Sequence, residues 1–334
     1  MNRSAPVLTI LFVLAILLLA AAKDAGVAQP VAADSPWPAR PVHFIVPFPP
    51  ASTADVLARM LGQKLSQRLG QQFVVDNRVG ASGNIGAEII AKAAPDGYTI
   101  GIVTSSTQAV AATLSQSLPY DPLRDFTPIV KLASSPYVLV VYPGLPAKSV
   151  RELVALAEQK PGALNYGSAG PASLAHLAGA LFANMTGTEL THVPYKSTAQ
   201  SVIDMIAGRL QMQFATIPPS IQTIRSGQLR ALAVTSRKRV EALPDVPTME
   251  EAGVAGYEAT LWFALVAPAR FPAKLAERLN REVADTLTAA DMMVLLSEQG
   301  LLAEAGTPAA LTAQIRADIA KWRDVITRAG ITAE

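Results

Sequence analysis

Residues 44–59 read FIVPFPPASTADVLAR, and this stretch decides the fold of the chain. The run VHFIVPF at residues 42–48 is a short continuous apolar segment, typical of a strand buried on both faces. A helix is predicted from residue 53, because one apolar stripe follows at helical spacing. The stripe is formed by Leu57, Leu61, Leu65 and Leu69. A strand that turns directly into a helix leaves free backbone N–H groups at the positive end of a helix dipole, which favours binding of an anion.

Strand-like and helix-like segments alternate along the rest of the chain. A second strand-to-helix turn lies within VVDNRVGASGNIGAEIIAKAAPDGYTI at residues 74–100. Such alternation predicts an α/β fold with doubly wound parallel sheets and ligand crevices at the carboxyl ends of the strands. Two long strands, at about 130–142 and 257–267, are predicted to cross between two lobes. The expected domains are a discontinuous lobe I, formed by residues 34–133 and 256–334, and lobe II, formed by residues 134–255.

Residues 1–33 are predicted to be a signal peptide that is cleaved on export. Arg3 gives a positive start, and small residues follow the 16-residue apolar run from Val7 to Ala22, which is the pattern of a secretory signal. The run is shorter than the roughly 20 residues that span a bilayer, so it favours export over a membrane anchor. We therefore expect a periplasmic protein.

The composition excludes several classes of function. The chain of 334 residues has 28 basic and 26 acidic residues and a net charge of +2, which is too neutral for a nucleic-acid partner. It has no cysteine and three histidines, so disulfides and a lipid anchor are excluded and little is left to bind a metal. We expect no metal and no cofactor.

Seven ordered blocks of the sequence resemble the periplasmic substrate-binding proteins of tripartite tricarboxylate transporters, the Bug receptors. They are WPARPVHFIVPF (37–48), DNRVGASGNIGAEIIAKAAPDGYT (76–99), YDPLRDFTPI (120–129), GSAGPASLAHLAGALF (167–182), THVPYKS (191–197), LRALAVTSRKRVEALPDVPTMEEAG (229–253) and WFALVAPA (262–269). The resemblance implies two α/β lobes joined by two crossing strands, the Venus flytrap architecture of periplasmic binding proteins. It also implies a monomeric receptor without catalytic activity, which carries a small organic acid, usually a carboxylate, to integral-membrane transporter subunits.

The resemblance places ligand loops after several of the strands. The candidate ligand-binding residues are Phe48, Pro50, Ala51, Ser52, Thr53, Asp55, Ser82, Gly83, Asn84, Thr104, Ser105, Ser106, Ser168, Ser173, His176, Tyr195, Lys196 and Ala215. The chain departs from the family at three points. Ala51 and Ser52 stand where two glycines usually precede the aspartate, Ser197 follows THVPYK in place of glycine, and Ala215 stands where an aspartate is common. The identity of the ligand therefore does not carry over from any relative.

The residues themselves leave two interpretations open at most of these positions. Ser52 or Thr53 either binds a carboxylate or caps the helix, whereas Asp55 is expected to brace its loop, since it would repel an anion. The spacing of the glycines from residue 80 to residue 86 lacks the initial G-x-G of a dinucleotide site, so these glycines either let a ligand approach or form a tight turn. The four hydroxyl residues at 104–107 either bind a polar ligand or form a solvated loop. Lys196 is either a ligand cation or a surface lysine.

Two other functions are compatible with the sequence. An exported serine hydrolase would use Ser168 or Ser173 with His176, but the sequence around Ser168 lacks the G-x-S-x-G elbow and Ser173 is placed to cap the helix that carries His176. A ligand sensor would report occupancy to a signalling partner in place of a permease. Trp262 and Phe263, on a predicted crossing strand, serve either hinge packing or ligand contact, and the helical stripe around Trp322 is predicted to be core.

Overall fold

A computed structural model describes residues 37–115, 117–168, 170–171, 173–195 and 198–332. The predicted signal peptide lies outside these residues, as does Lys196. The strands are β1 (Val42–Val46), β2 (Phe73–Asn77), β3 (Thr99–Thr104), β4 (Phe126–Val141), β5 (Asn165–Ser168), β6 (Thr191–Pro194), β7 (Met212–Thr216), β8 (Arg230–Val234), β9 (Thr260–Pro268) and β10 (Leu302–Ala303). The helices are α1 (Thr53–Leu69), α2 (Asn84–Lys92), α3 (Ala111–Leu114), α4 (Val150–Gln159), α5 (Leu174–Thr186), α6 (Thr198–Ile206), α7 (Ile217–Arg225), α8 (Ala273–Leu287), α9 (Ala290–Glu298) and α10 (Pro308–Arg328).

The strands form two sheet regions that share β4. In the first region β1 pairs in parallel with β2 and β3, and β9 connects β3 to β4 with antiparallel pairing. In the second region β5 pairs in parallel with β6 and β7, while β7 and β8 pair with β4 antiparallel. Each region therefore contains parallel strands. The antiparallel pairs are those of β9 with β3 and β4 and those of β4 with β7 and β8.

The observed positions of the two crossing strands, β4 and β9, overlap most of the predicted ranges 130–142 and 257–267. Residues 126–136 of β4 pair with β9 in the first region, and residues 137–141 pair with β7 and β8 in the second. Strand β9 begins at Thr260, later than residue 257 as predicted from the sequence. Just before β9, the Thr235 hydroxyl donates a 2.7 Å hydrogen bond to the carbonyl oxygen of Ala259, which ties the entry of β9 to the second region.

Apolar burial follows the helical stripes seen in the sequence. The Leu57, Leu61 and Leu65 side chains of α1 are fully buried against the first sheet region, which confirms the stripe. Ser173 caps α5 as predicted, because it accepts a hydrogen bond from the His176 N–H, and Ser149 caps α4 in the same way through the Glu152 N–H.

Helix α10 packs against the cores of both sheet regions. Its first half places Leu311 and Ile315 in one hydrophobic cluster with Trp262 of β9. Its second half places Trp322 in the cluster that contains Phe182 of α5, which confirms that the Trp322 stripe is core. The domain boundaries drawn from the sequence stay a prediction. Helix α10, which they assign to lobe I, contacts the cores of both sheet regions.

Candidate functional site

A cavity of about 650 Å³ lies where the carboxyl ends of β1, β3 and β5 face each other across the crossing strands. This is the position at which α/β sheets bind ligands. The described residues that line it are Phe48, Ala81, Ser82, Asn84, Ser106, Val110, Ala111, Leu114, Ser115, Tyr137, Pro171, Ser173, Leu174, Leu261 and Thr332. None of these lining residues carries a formal charge, so the described wall of the cavity offers hydroxyl, amide and apolar groups.

The loop after β1 contributes Phe48 to the cavity. Pro50, Ala51, Ser52, Thr53 and Asp55 of the same loop do not line it. The Ser52 hydroxyl caps α1, because it accepts a 3.3 Å hydrogen bond from the Asp55 N–H. The capping interpretation of this serine therefore holds, and a direct role for the remaining loop residues in ligand binding stays a prediction.

Asp55 is the buried anchor of this loop. Its carboxylate accepts hydrogen bonds of 2.9 Å from the Ala51 N–H, the Arg59 Nε–H and the Asn77 amide, and the same Asn77 amide donates to the carbonyl of Phe48. Burial acts to raise the pKa of the Asp55 carboxyl, but the hydrogen bonds outweigh burial and hold the pKa below its usual range. Asp55 thus braces the loop, as expected, and holds Phe48 at the cavity.

The loop after β2 brings Ala81, Ser82 and Asn84 to the cavity through an unusual backbone. Ala81 and Ser82 have φ angles of 46° and 54°, in the left-handed region that costs an L-residue roughly 1–2 kcal/mol. Gly83 has no such cost, and a Cβ added there would lie 2.9 Å from the Thr107 Cγ2. Non-glycine residues persist in this conformation only where their surroundings impose it, which is frequent at ligand sites.

Asn84 is held in place by a buried tyrosine. The Tyr120 hydroxyl lies 2.9 Å from the Asn84 Oδ1 and 2.7 Å from the carbonyl oxygen of Thr107. Burial raises the pKa of Tyr120, so the phenol keeps its proton. The sequence contains Tyr120 in one of its matching blocks, but nothing in that block predicts its contact with Asn84.

Of the hydroxyl run after β3, Ser106 lines the cavity. Thr104 and Thr107 are occupied with each other, because the N–H of each donates to the side-chain oxygen of the other, at 3.0 and 3.3 Å. Ser105 is fully buried and its hydroxyl has no hydrogen-bond partner among the described residues. The chain then continues in a π-helical turn, Ser106–Val110, which turns Val110 and Leu114 toward the cavity.

In the second region Ser173 lines the cavity and Ser168 does not. The Ser173 hydroxyl donates to the carbonyl of Gly170 at 2.8 Å and accepts from the His176 N–H at 3.3 Å. Ser168 is fully buried, with its Oγ 2.6 Å from the His192 Nε2. Its hydroxyl also contacts the Gly170 backbone, at 3.0 Å to the carbonyl oxygen and 3.1 Å to the nitrogen.

His176 and His192 form a stacked pair behind this loop. Their ring centroids are 3.7 Å apart and the rings are nearly parallel, at 4°. Burial, with a smaller effect of the neighbouring His192, lowers the pKa of His176 to about 4, and burial also lowers the pKa of His192. Both rings are therefore neutral near pH 7. Ser168 pairs with His192 and Ser173 with backbone, so neither serine forms the pair with the His176 ring that a hydrolase would need.

The remaining candidate ligand-binding residues either do not line the cavity or lie outside the residues that the structure describes. The Tyr195 hydroxyl donates to Asp204 at 2.9 Å and does not line the cavity, and Lys196 lies outside the described residues. Ala215 is buried in β7 within a hydrophobic cluster. Trp262 donates its indole N–H to Asp318 at 2.6 Å, is buried with 2 % exposure and does not line the cavity, so it has a packing role in this structure.

Sequence reasoning missed the residues that the crossing strands supply. Tyr137 of β4 and Leu261 of β9 line the cavity, and the Tyr137 hydroxyl has no hydrogen-bond partner among the described residues. Burial raises the pKa of Tyr137, so this hydroxyl stays a donor. The apolar run YVLVV predicts a buried strand at residues 137–141, but no local signal tells which of its side chains faces a ligand.

A second cavity, of about 750 Å³, lies on the opposite face of the crossing strands. It is lined by Ser134 and Thr260, whereas Tyr137 and Leu261 line the first cavity, as expected because successive side chains of a strand point to opposite faces. Its lining carries charged side chains, some of which are paired with each other, for example Lys131 with Glu304 at 3.1 Å. It lies beyond the carboxyl end of β8, whereas the uncharged cavity lies at the carboxyl ends of the parallel strands β1, β3 and β5, so we assign the candidate site to the uncharged cavity.

Two general features bear on other functions. No group of three or more His, Cys, Asp or Glu side chains in the described ranges is arranged to bind a metal ion. None of the helices in the described part of the chain combines the length and apolar character that a membrane crossing requires.

Comparison with known proteins agrees with the resemblance seen in the sequence. The sequence model of the family described as "Tripartite tricarboxylate transporter family receptor" (TctC) matches residues 57–331. Protein BugT of Bordetella pertussis is 38% identical over 307 residues, which cover 92% of this chain and 94% of BugT. A protein encoded in the tcbD-tcbE intergenic region of Pseudomonas sp. strain P51 is 37% identical over 298 residues, or 89% of this chain and 88% of that protein.

Solved structures give the same result for the fold. Rpa4515 of R. palustris, solved with adipate, has a TM-score of 0.76 at 40% identity and covers 89% of this chain and 99% of its own. MatC of Rhodopseudomonas palustris, solved with malate, has a TM-score of 0.72 at 29% identity, with coverage of 87% and 100%. The periplasmic binding protein BugD has a TM-score of 0.72 at 30% identity, with coverage of 89% and 100%. The chain therefore belongs to the TctC, or Bug-type, family of solute-binding receptors, with the α/β fold of periplasmic binding proteins.

Proposed function

We propose that this protein binds a small organic carboxylate in the cavity between its two lobes and delivers it to the integral-membrane subunits of a tripartite tricarboxylate transporter. The observation that carries the proposal is the uncharged cavity at the carboxyl ends of β1, β3 and β5. It takes hydroxyl and amide groups from strand-to-helix turns, where the ends of helix dipoles favour an anion. The relatives solved with adipate and malate support a carboxylate as the ligand.

The donors at the cavity suit a carboxylate without a cationic clamp. The Ser82 and Ser106 hydroxyls have no hydrogen-bond partner among the described residues, and neither has Tyr137, so all three are available to a ligand. Hydrogen bonds from neutral donors to a carboxylate are charge-assisted and stronger than bonds between neutral groups. Recognition would thus depend on several uncharged donors that converge on one anion.

Ligand binding is expected to favour the closed arrangement of the lobes. A ligand shifts such an equilibrium only by its difference in affinity between the two arrangements, and here the cavity takes Ser82 and Ser106 from one sheet region and Ser173 from the other. The closed arrangement would present the surface that the membrane subunits read. We also propose export by a cleaved signal peptide, location in the periplasm, a monomeric state and no bond chemistry.

A thermal-unfolding screen with mono-, di- and tricarboxylates and aromatic acids tests the binding step. A ligand at about 100 times its Kd should stabilise the folded protein by about 2.7 kcal/mol through mass action. Absence of any shift across the whole panel would contradict the proposal. Mass spectrometry of molecules that co-purify with the protein would identify the ligand directly.

Uptake separates transport from sensing. A strain that lacks this protein should lose uptake of the identified acid, and uptake should return with the full-length gene. Normal uptake together with a lost transcriptional response to the acid would favour a sensor in place of a transport receptor.

A further inference from the structure

We propose that the cavity selects organic acids whose body is unsubstituted hydrocarbon over acids of the same length whose body carries hydroxyl groups. This selectivity rests on the proposed function, because it names the class of carboxylate that the same cavity takes. It is carried by an apolar wall, which we define as the side chains of Val110, Leu114, Leu174 and Leu261.

The apolar wall takes side chains from both sheet regions. Val110 and Leu114 are four residues apart, so they lie on the same face of their helical segment. Leu174 begins α5 on the other side of the cavity, and Leu261 reaches it from the crossing strand β9. Val110 and Leu174, which are 4% and 3% exposed, belong to one buried hydrophobic cluster, and the partly buried Leu114 and Leu261 pack against it.

The polar groups of the cavity are concentrated at the loops and on β4. Ser82, Asn84 and Ser106 stand at the strand-to-helix turns of the first region, Ser115 and Thr332 follow the ends of α3 and α10, and Tyr137 adds one hydroxyl on the crossing strand. The Ser173 hydroxyl is already engaged, as donor to Gly170 and acceptor from His176. Carboxylate groups of a ligand would therefore lie against the loops and Tyr137, and its body would lie against the apolar wall.

A hydroxyl group on the ligand body would have no partner at the apolar wall. It would lose its hydrogen bonds to water without replacement, whereas a methylene group at the same place gains from burial. One unsatisfied buried hydroxyl weakens binding by roughly tenfold or more. The selectivity should thus increase with the number of hydroxyl groups at constant chain length and constant charge.

Calorimetric titration with matched acids tests this selectivity. Adipate and galactarate have the same six-carbon chain and two carboxylates but differ by the hydroxyl groups on four carbons, and succinate and tartrate form the same kind of pair. We expect adipate to bind at least about tenfold more tightly than galactarate, with the same order for succinate and tartrate. Equal or tighter binding of the hydroxylated acids would overturn the selectivity and leave the proposed function intact.

Variants of Leu114 locate the selectivity at the apolar wall. Leu114 is partly exposed, so Leu114→Asn is expected to fold, and thermal unfolding checks this before titration. The asparagine should reduce the ratio of adipate to galactarate affinity by about threefold or more, and Leu114→Met, which keeps the wall apolar, should preserve the ratio. An unchanged affinity ratio in Leu114→Asn would overturn the assignment of the selectivity to the apolar wall. If the wild-type protein binds none of the four acids and none of the broader panel, the proposed function is overturned as well.

Discussion

Replacing Asp55 by asparagine removes the negative charge around which the first loop of the cavity is built. The side chain keeps its size but loses one of its two acceptor oxygens, and its new NH₂ group faces donors. In the folded protein the carboxylate is 3% exposed and accepts from the Ala51 N–H, Arg59 and Asn77. The substitution therefore sets a buried donor against other donors.

The expected loss of stability follows from these contacts. Hydrogen bonds to a charged group contribute about 1.5–3 kcal/mol each, and the amide can keep some of them. Arg59 is 55% exposed, so its ion pair is screened by solvent and adds about 0–1 kcal/mol. We expect Asp55→Asn to reduce the free energy of unfolding by about 2–4 kcal/mol at pH 7, which lowers the melting temperature by roughly 4–8 °C.

The difference should depend on pH in a defined direction. The pKa of Asp55 is lowered from its ordinary value of 3.8 in the folded protein, so its contribution is fully present above pH 3.8. It is lost as the pH falls through the folded-state pKa, because the carboxylate then takes up a proton. The wild-type protein and Asp55→Asn should differ by a constant amount from pH 5 to 8 and converge below pH 3.8.

Thermal and urea unfolding followed by circular dichroism measure this difference. The matched control is Asp324→Asn, whose carboxylate is 57% exposed and pairs with Arg328 on the surface of α10, and whose stability should change by less than about 0.5 kcal/mol. Equal melting temperatures of Asp55→Asn and the wild type at pH 7, or a difference that persists unchanged to pH 3, would refute the reasoning.

Three further changes test other parts of the site. Ala51→Gly should raise stability by about 0–1 kcal/mol in urea unfolding, because glycine relieves the φ of 64° but gains freedom in the unfolded chain; a loss above 1 kcal/mol would contradict it. Tyr120→Phe should cost about 1–2 kcal/mol and weaken ligand binding in calorimetry, because Asn84 loses its 2.9 Å contact; unchanged affinity would refute the positioning. The pKa of His176 lies near 4 in the folded protein and at 6.5 when unperturbed, so the unfolded chain takes up a proton first and stability falls between pH 6.5 and 4. His176→Gln should flatten this fall in urea midpoints, and an equally steep fall would exclude His176 as its source.

Local chemistry predicts the fold better than the site. Helix α1 follows from the leucine stripe, and the cap at Ser173 follows from a hydroxyl residue before an apolar run. The cavity also depends on which strands become neighbours. His192 reaches Ser168 because β5 and β6 pair in parallel, and no spacing in the sequence gives that register. Val110 and Leu114 face the cavity after a π-helical turn, which changes the phase that helical spacing would predict.

The absence of charge from the described lining also bears on release. A cationic clamp attracts a carboxylate over a long range and keeps much of that attraction when one lobe moves away. Hydrogen bonds from Ser82 and Ser106 and apolar contacts with Leu174 act only over short distances, and these residues come from both sheet regions. Opening of the lobes would break several short contacts together, so affinity would fall steeply with the opening. If the protein is the transport receptor proposed above, it must release what it binds. An uncharged cavity divided between two lobes would then couple binding to closure and release to opening, and Tyr137 and Leu261 would place part of the ligand contact on the crossing strands.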